Sequence, residues 1–240
     1  MKACILLYHR IAEAPNKEAA KTTLFVHPKH FTFQMALVSR LFRVLTMAEF
    51  YERLRQGSLP PRSLTLTFDD ATEDFIELAL PVLNRFRLPV TLFVVAGKLG
   101  QTSDWLSFRG IPPAPLLTDK VLRELPSWVE IGAHSLTHRQ FRELSKDELR
   151  AEVIDSKAVL EHLLKRPVYW FAYPFGNVME EAQILVKEAG YSAAFSTRRG
   201  WVTPQEDFMA LPRLAVPYWV GRVGFLLWLR LAPNWQRRVK

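Results

Sequence analysis

One cysteine, Cys4, stands alone in 240 residues, so no internal disulfide framework braces the fold and no cysteine-rich zinc site can form. Any bound metal must rest on histidine and carboxylate. Long apolar runs are also missing: none approaches the roughly 18 residues needed to cross a bilayer as a helix. The apolar run from Ala3 to Tyr8 is broken by His9 and Arg10 before a secretory h-region is complete, so it reads as a first strand, and the expected location is cytoplasmic. Acidic residues are the minority charge, 24 against 32 Lys plus Arg, a net +8. That excess favours anionic surroundings such as phosphate, acidic glycans or an anionic membrane face. Basic and aromatic residues do not interleave as on a nucleic-acid surface, and the cations sit in local clusters such as Arg53 with Arg55 and Arg198 with Arg199. No nucleic-acid partner is expected. Apolar side chains, in contrast, make up 49% of the chain, ample for one buried core.

Short β-rich apolar runs alternate with longer amphipathic segments, the pattern of parallel strands joined by helical crossovers. Strands are expected at 3–8, 43–45, 63–68, 90–95, 129–133, 168–172 and 192–196. The fold class is α/β, and this number of strands suits a closed barrel better than an open sheet. In 71–86, Phe75, Ile76, Ala79, Leu80 and Leu83 are spaced as one helix face. In 144–164, Ser145 and Glu148 have the form of a capping box, and Leu149, Val153, Ala158, Leu160 and Leu164 supply a stripe. Residues 60–61, 111–115 and 201–205 read as loops, and no internal repeat is present. The partition is one domain over 1–216, followed by a tail over 217–240.

Three strand ends carry chemistry. The strand 63–68 runs into Asp69-Asp70, placing two carboxylates where parallel barrels build their active sites; the ordinary alternative is that one Asp caps the next helix. The strand 129–133 runs into His134 and His138. If the chain turns helically there, the i,i+4 spacing brings both imidazoles to one side. Two histidines and a carboxylate make a site for zinc or a similar divalent ion with positions left open. The third end is Tyr173-Pro174-Phe175-Gly176, where Gly176 permits a tight turn and backbone N–H groups would face a reacting carbonyl oxygen.

In this order, Thr67-Phe68-Asp69-Asp70, His134-Ser135-Leu136-Thr137-His138 and Tyr173-Pro174-Phe175-Gly176 resemble the polysaccharide deacetylase family, carbohydrate esterase family 4, over roughly residues 1–216. The resemblance implies a distorted (β/α) barrel of about seven parallel strands and an N-acetylated saccharide as substrate. It implies Asp70, His134 and His138 as ligands of one divalent ion, zinc foremost, with cobalt, nickel and iron as alternatives. Asp69 would take the proton from water, and the backbone N–H of Tyr173 would hold the oxyanion.

The sequence departs from the family in two places. The usual Arg before the third motif's aromatic is Ala172 here; Leu211-Pro212-Arg213-Leu214 is similar to an element of exopolysaccharide-modifying members, so Arg213 is expected to supply the guanidinium. The usual C-terminal His is absent, but Leu6-Leu7-Tyr8-His9-Arg10 resembles the poly-N-acetylglucosamine branch, in which strand order is permuted and an N-terminal His is the general acid; His9 is expected in that role. His27, His30 and His162 are assigned no chemistry. Of Trp105, Phe108, Trp201 and Trp219, only Trp201 is expected to bind sugar. The apolar stretch from Val220 to Leu231, followed by Trp235, Arg237, Arg238 and Lys240, would suit either a helix lying on the inner membrane face or one closing the barrel. Competing readings are a deformylase or amidase on a lipid-linked amino sugar, and a carbohydrate-binding protein without turnover.

Overall fold

The computed structural model describes residues 2–221 and 224–231. Ten strands are formed: β1 (Cys4–Tyr8), β2 (Arg10–Ile11), β3 (Phe25–Val26), β4 (Arg43–Val44), β5 (Ser63–Phe68), β6 (Val90–Val94), β7 (Val129–Ala133), β8 (Trp170–Ala172), β9 (Ala193–Phe195) and β10 (Leu214–Ala215). Seven of them follow one parallel path, β10-β1-β5-β6-β7-β8-β9. On the side of β5 away from β1, β4 pairs with its first residues and β6 with its last. The path curls into a distorted barrel because its edges share a segment. Leu211 bridges to Phe195 of β9, and Leu214 and Ala215 pair with Leu6 and Leu7 of β1. Around the barrel the strands keep chain order, so His9 follows a strand that lies between β5 and the closing segment.

Alternation along the strands divides the core into two layers. Ala3, Ile5, Phe93, Trp170, Ala172, Ala193 and Phe195 fill the barrel, together with Met47, Phe50 and Leu54 of the helix Met47–Arg55. Cys4, Leu6, Tyr8, Leu92, Val94, Phe171 and Ala194 face outward into the layer beneath the helices. Gly132 belongs to the inward set, where a Cβ would come within 2.5 Å of the Phe93 ring. The same period sends Thr65 and Thr67 of β5 inward, and Asp69 after them.

The expected strands are all present, those at 63–68 and 129–133 with the same bounds. The helix expected from residue 71 begins only at Phe75, because Asp70 and Ala71 adopt left-handed φ of 74° and 59°. Its first turn is a π-turn, Phe75–Ala79, followed by the α-helix Leu80–Phe86, so the wide turn leads directly into Pro81, which has no N–H to give. The helix Lys146–Leu164 carries the capping box of Ser145 and Glu148. Ala158, expected on its apolar stripe, is exposed; Ser156 is buried in its place and bonds to Val153 O at 2.8 Å.

Beyond 216, Val220 and the helix Phe225–Leu231 join the main core through Phe225, Trp228 and Leu229. The expected boundary at 216 therefore does not mark the end of the packed domain. Leu226, Leu227 and Leu231 are exposed. Among the described residues no helix is long and apolar enough to cross a membrane. Arg222, Val223 and the basic stretch with Pro233, Trp235, Arg237, Arg238 and Lys240 lie outside the described residues.

Candidate active site and metal centre

The three strand ends and the closing segment converge at one mouth of the barrel. Asp69 points inward by strand alternation. Asp70, next in sequence, would face outward if β5 continued; its left-handed backbone turns the chain so that its carboxylate enters the same cavity. The two histidines are brought together by a bend and not by the helical turn expected. Ser135 and His138 have φ of 62° and 64°, the Ser135 hydroxyl accepts the His138 N–H at 3.0 Å, and the ring centroids lie 4.8 Å apart. Glu152, on the buried face of the long helix, clamps the bend: its carboxylate accepts the N–H groups of Leu136 (3.0 Å) and Thr137 (2.8 Å) and the Thr137 hydroxyl.

Asp70, His134 and His138 are buried and each offers one ligand atom within 4.8 Å of the others. His134 Nδ1 donates to the Ala172 carbonyl at 2.7 Å, which leaves Nε2 as a lone pair 3.6 Å from Asp70 Oδ1. His138 Nε2 lies 3.4 Å from the same oxygen. Asp70 Oδ1 is buried and accepts no hydrogen bond, a costly state for a carboxylate. Burial, and then the charges of Asp69 and Asp74, push its pKa well above the usual range. Burial pushes His138 well below the usual imidazole range, with His134 and His9 adding to it. A carboxylate that lacks a donor beside two neutral imidazoles is a donor set that fits a divalent cation.

Asp69 is held differently. Arg213, 1% exposed, donates from Nη1 to Asp69 Oδ1 and from Nη2 to Oδ2, each at 2.7 Å, a bidentate fork. Its Nε donates to Ser196 O at 3.0 Å, and Nη1 also reaches the Thr67 hydroxyl at 3.4 Å. Burial by itself would raise the Asp69 pKa; the Arg213 and His134 charges and the Arg213 hydrogen bonds outweigh it, and the carboxyl stays below its ordinary value. The two neighbouring carboxyls are thus driven apart, Asp69 below and Asp70 above the ordinary carboxylate range.

These groups open on a cavity of about 900 Å³ that also exposes His9, Tyr173, Phe175 and Trp105. Burial lowers His9 to about 4, Asp69 opposing and Arg213 and His134 reinforcing the shift. The consequence for stability has a definite sign. The unfolded chain protonates His9 near its ordinary 6.5, whereas the folded, metal-free protein resists down to about 4, so the His9 contribution is present above 6.5 and lost as pH falls through that window. In the metal-free protein, His9→Asn is expected to gain stability relative to wild type as pH drops from 6.5 to 4, read from urea midpoints at each pH.

The polysaccharide deacetylase family model matches residues 56–194, more than half of the chain. The chain belongs to the polysaccharide deacetylase family. It is 24% identical over 217 residues to a putative polysaccharide deacetylase, YxkH, of Bacillus subtilis, covering 90% of this chain and 71% of that one. It is 26% identical over 184 residues to poly-beta-1,6-N-acetyl-D-glucosamine N-deacetylase of Staphylococcus aureus, covering 72% of this chain and 61% of the relative. Among solved structures, the Streptococcus pyogenes deacetylase PplD in complex with acetate superposes with a TM-score of 0.80 at 25% identity, covering 95% of this chain and 97% of that one. IcaB from Ammonifex degensii shares the fold, with a TM-score of 0.74 at 19% identity over 90% and 91% of the two chains.

Two expectations for this deacetylase-family chain are corrected by its geometry. The Tyr173 N–H, expected to face a reacting oxygen, donates to Phe195 O at 3.1 Å; the β8–β9 ladder runs one residue past Ala172 and consumes it. Trp201 does not line the cavity. Its neighbour Val202 pairs with Ala3 at the start of β1, away from the strand ends that carry the site, and Trp201 packs against the core. Of the candidate aromatics Trp105, and not Trp201, lines the cavity, stacked on His138 at 4.2 Å and 19°, while the Phe175 ring meets the same imidazole edge-on at 4.7 Å. Glu152 carries no assignment in the sequence analysis; its one sequence signal is a carboxylate beside Val153 inside an apolar stripe. Pro174 is buried, and Phe175 takes φ 57° to aim its ring. Gly176 has φ 72°, and a Cβ there would stand 1.9 Å from Thr197 Oγ1. Gly176→Ala is therefore expected to destabilise by more than about 2 kcal/mol, checked by chemical denaturation.

Proposed function

We propose that this family member is a metal-dependent hydrolase that removes N-acetyl groups from amino sugars of a glycan or glycan precursor in envelope or exopolysaccharide synthesis. The observation that carries this reading is an ionised Asp69, locked by Arg213, beside a buried Asp70–His134–His138 donor set with an unsatisfied carboxylate oxygen. Asp70, His134 and His138 would hold one divalent ion, zinc foremost, with cobalt, nickel and iron as alternatives. When bound, it supplies Lewis acidity that makes water more acidic and polarises the acyl carbonyl.

Asp69 takes the proton from the attacking water. Arg213 keeps that carboxylate ionised beforehand and fixes its plane, so the accepting oxygen does not rotate away. Trp105 and Phe175 wall His138 and exclude water from its face. As the C–N bond breaks, the leaving nitrogen needs a proton. Burial keeps His9 neutral at rest, so His9 is not an acid charged in advance; the proton that Asp69 takes from water must first be handed to His9, which then delivers it to the leaving nitrogen and returns to the neutral form.

The test is acetate release from a panel of N-acetylated oligosaccharides and lipid-linked sugars. Chelation is expected to abolish turnover and added zinc, cobalt, nickel or iron to restore it; chelator-insensitive release would sink the mechanism. Saccharide binding without release under every metal would instead identify a carbohydrate-binding protein that has lost turnover.

A further inference from the structure

We propose that the substrate is an N-acetylated saccharide bearing an anionic group, phosphate or carboxylate, close to the acetamido sugar; this rests on the hydrolase reading above. The cavity wall carries Lys21, Arg109, Arg198 and Arg199 around the floor formed by the two catalytic-site carboxylates. Among the described residues lining it, Asp69 and Asp70 are the only carboxylates, and Asp69 is already matched by Arg213. The mouth is therefore cationic before any divalent ion is counted.

The four cations come from two separate places. Arg198 and Arg199 follow β9. Lys21 and Arg109 belong to a rim made of two loops that pack on each other: Ala19, Phe25 and Ile111 form one cluster with Leu106, and Asn16 Nδ2 donates to Gly110 O at 2.9 Å. Three of the four make contacts with which an anionic ligand would compete. Lys21 pairs with Glu18 at 2.6 Å, both well exposed, Arg198 pairs with Glu206, and the Arg109 guanidinium lies 6.0 Å over the Phe108 ring. The exposed Lys21–Glu18 pair holds by only about 0–1 kcal/mol, so an anionic ligand displaces it readily. A cleft lined by one sign of charge focuses its field on an incoming substrate of opposite sign.

The experiment uses the metal-loaded full chain and N-acetylglucosamine saccharides of one length in three forms: neutral, phosphate-bearing and uronate-bearing. At low salt, kcat/KM for the anionic forms is expected to exceed that for the neutral one by about tenfold or more. Raising salt to about 0.3 M should erase most of the preference by screening. Arg109→Gln combined with Arg199→Gln is expected to cut the anionic-to-neutral ratio about tenfold at low salt, through KM. Which anionic form gains more identifies the source of the charge. Equal kcat/KM for neutral and anionic forms at low salt overturns the proposal, as does a preference the double variant leaves intact. Calorimetric Kd values for the same saccharides read the preference without turnover, so absence of hydrolysis overturns only the hydrolase reading. Salt-sensitive binding to anionic vesicles, lost in the double variant, with no preference among saccharides overturns it in favour of a lipid surface.

Discussion

Asp69→Asn is expected to lower acetate release about 10³-fold, within the range set by loss of a general base, while metal content stays near wild type. The amide is isosteric with the carboxylate but cannot accept the proton from water. It also places an N–H₂ group against one arm of the Arg213 fork, where two donors now meet, so a stability loss of about 1–3 kcal/mol accompanies it. Acetate release, metal content and thermal unfolding of the same preparation separate these effects. Asp70→Asn gives the opposite pattern: metal is lost first, and activity with it. A variant at Asp69 that retained turnover would remove this residue from the proton path.

Arg213→Met should be the most destabilising change in the site. It leaves the Asp69 carboxylate buried with no counter-charge, a loss of about 3–5 kcal/mol for breaking one partner of a buried pair. In a domain of this size that lowers Tm by roughly 6–20 °C. Without the guanidinium, burial becomes the dominant influence on Asp69 and its pKa rises. The acidic limb of the pH–rate profile then moves to higher pH, a shift that a purely structural role would not produce. Arg213→Lys keeps the charge but cannot span both carboxylate oxygens and Ser196 O together, so an intermediate loss is expected. Asp69→Asn added to Arg213→Met should cost less than the two losses summed, because each removes the other's stranded charge. Additive losses would show that the pair is not coupled as its geometry requires.

How much of this was legible depends on whether a feature is written in a period. The strands at 63–68 and 129–133 were found with their final bounds because buried parallel strands are continuous β-rich runs closed by polar residues. The capping box at Ser145 and Glu148 was found because its spacing is local. The helix after Asp70 starts later than its apolar period suggests, because a face at Phe75, Ala79 and Leu83 does not reveal two left-handed residues before it. The four-residue spacing of His134 and His138 was read as a helical turn, but the actual bend depends on Glu152, which lies in a distant helix. The closing strand Leu214–Ala215 has two residues, too few to show a period, although Leu211-Pro212-Arg213-Leu214 drew notice as a motif.

The sequence by itself determined that two carboxylates end one strand and two histidines follow another in a parallel α/β chain, and strand ends in a parallel barrel share one mouth. With Tyr173-Pro174-Phe175-Gly176 these motifs carry the family resemblance, and the resemblance implies the roles of the four residues of the centre. Only the tertiary structure decided the shell around them. The motif around Arg213 points to its role, but the fork it makes with Asp69 across 144 positions is a tertiary contact; Trp105, and not Trp201, covers His138; the Tyr173 N–H is spent on Phe195; and four cations from separate loops face one cavity. Those contacts depend on the paths of irregular segments, where no periodicity links a residue's place in the chain to the direction of its side chain.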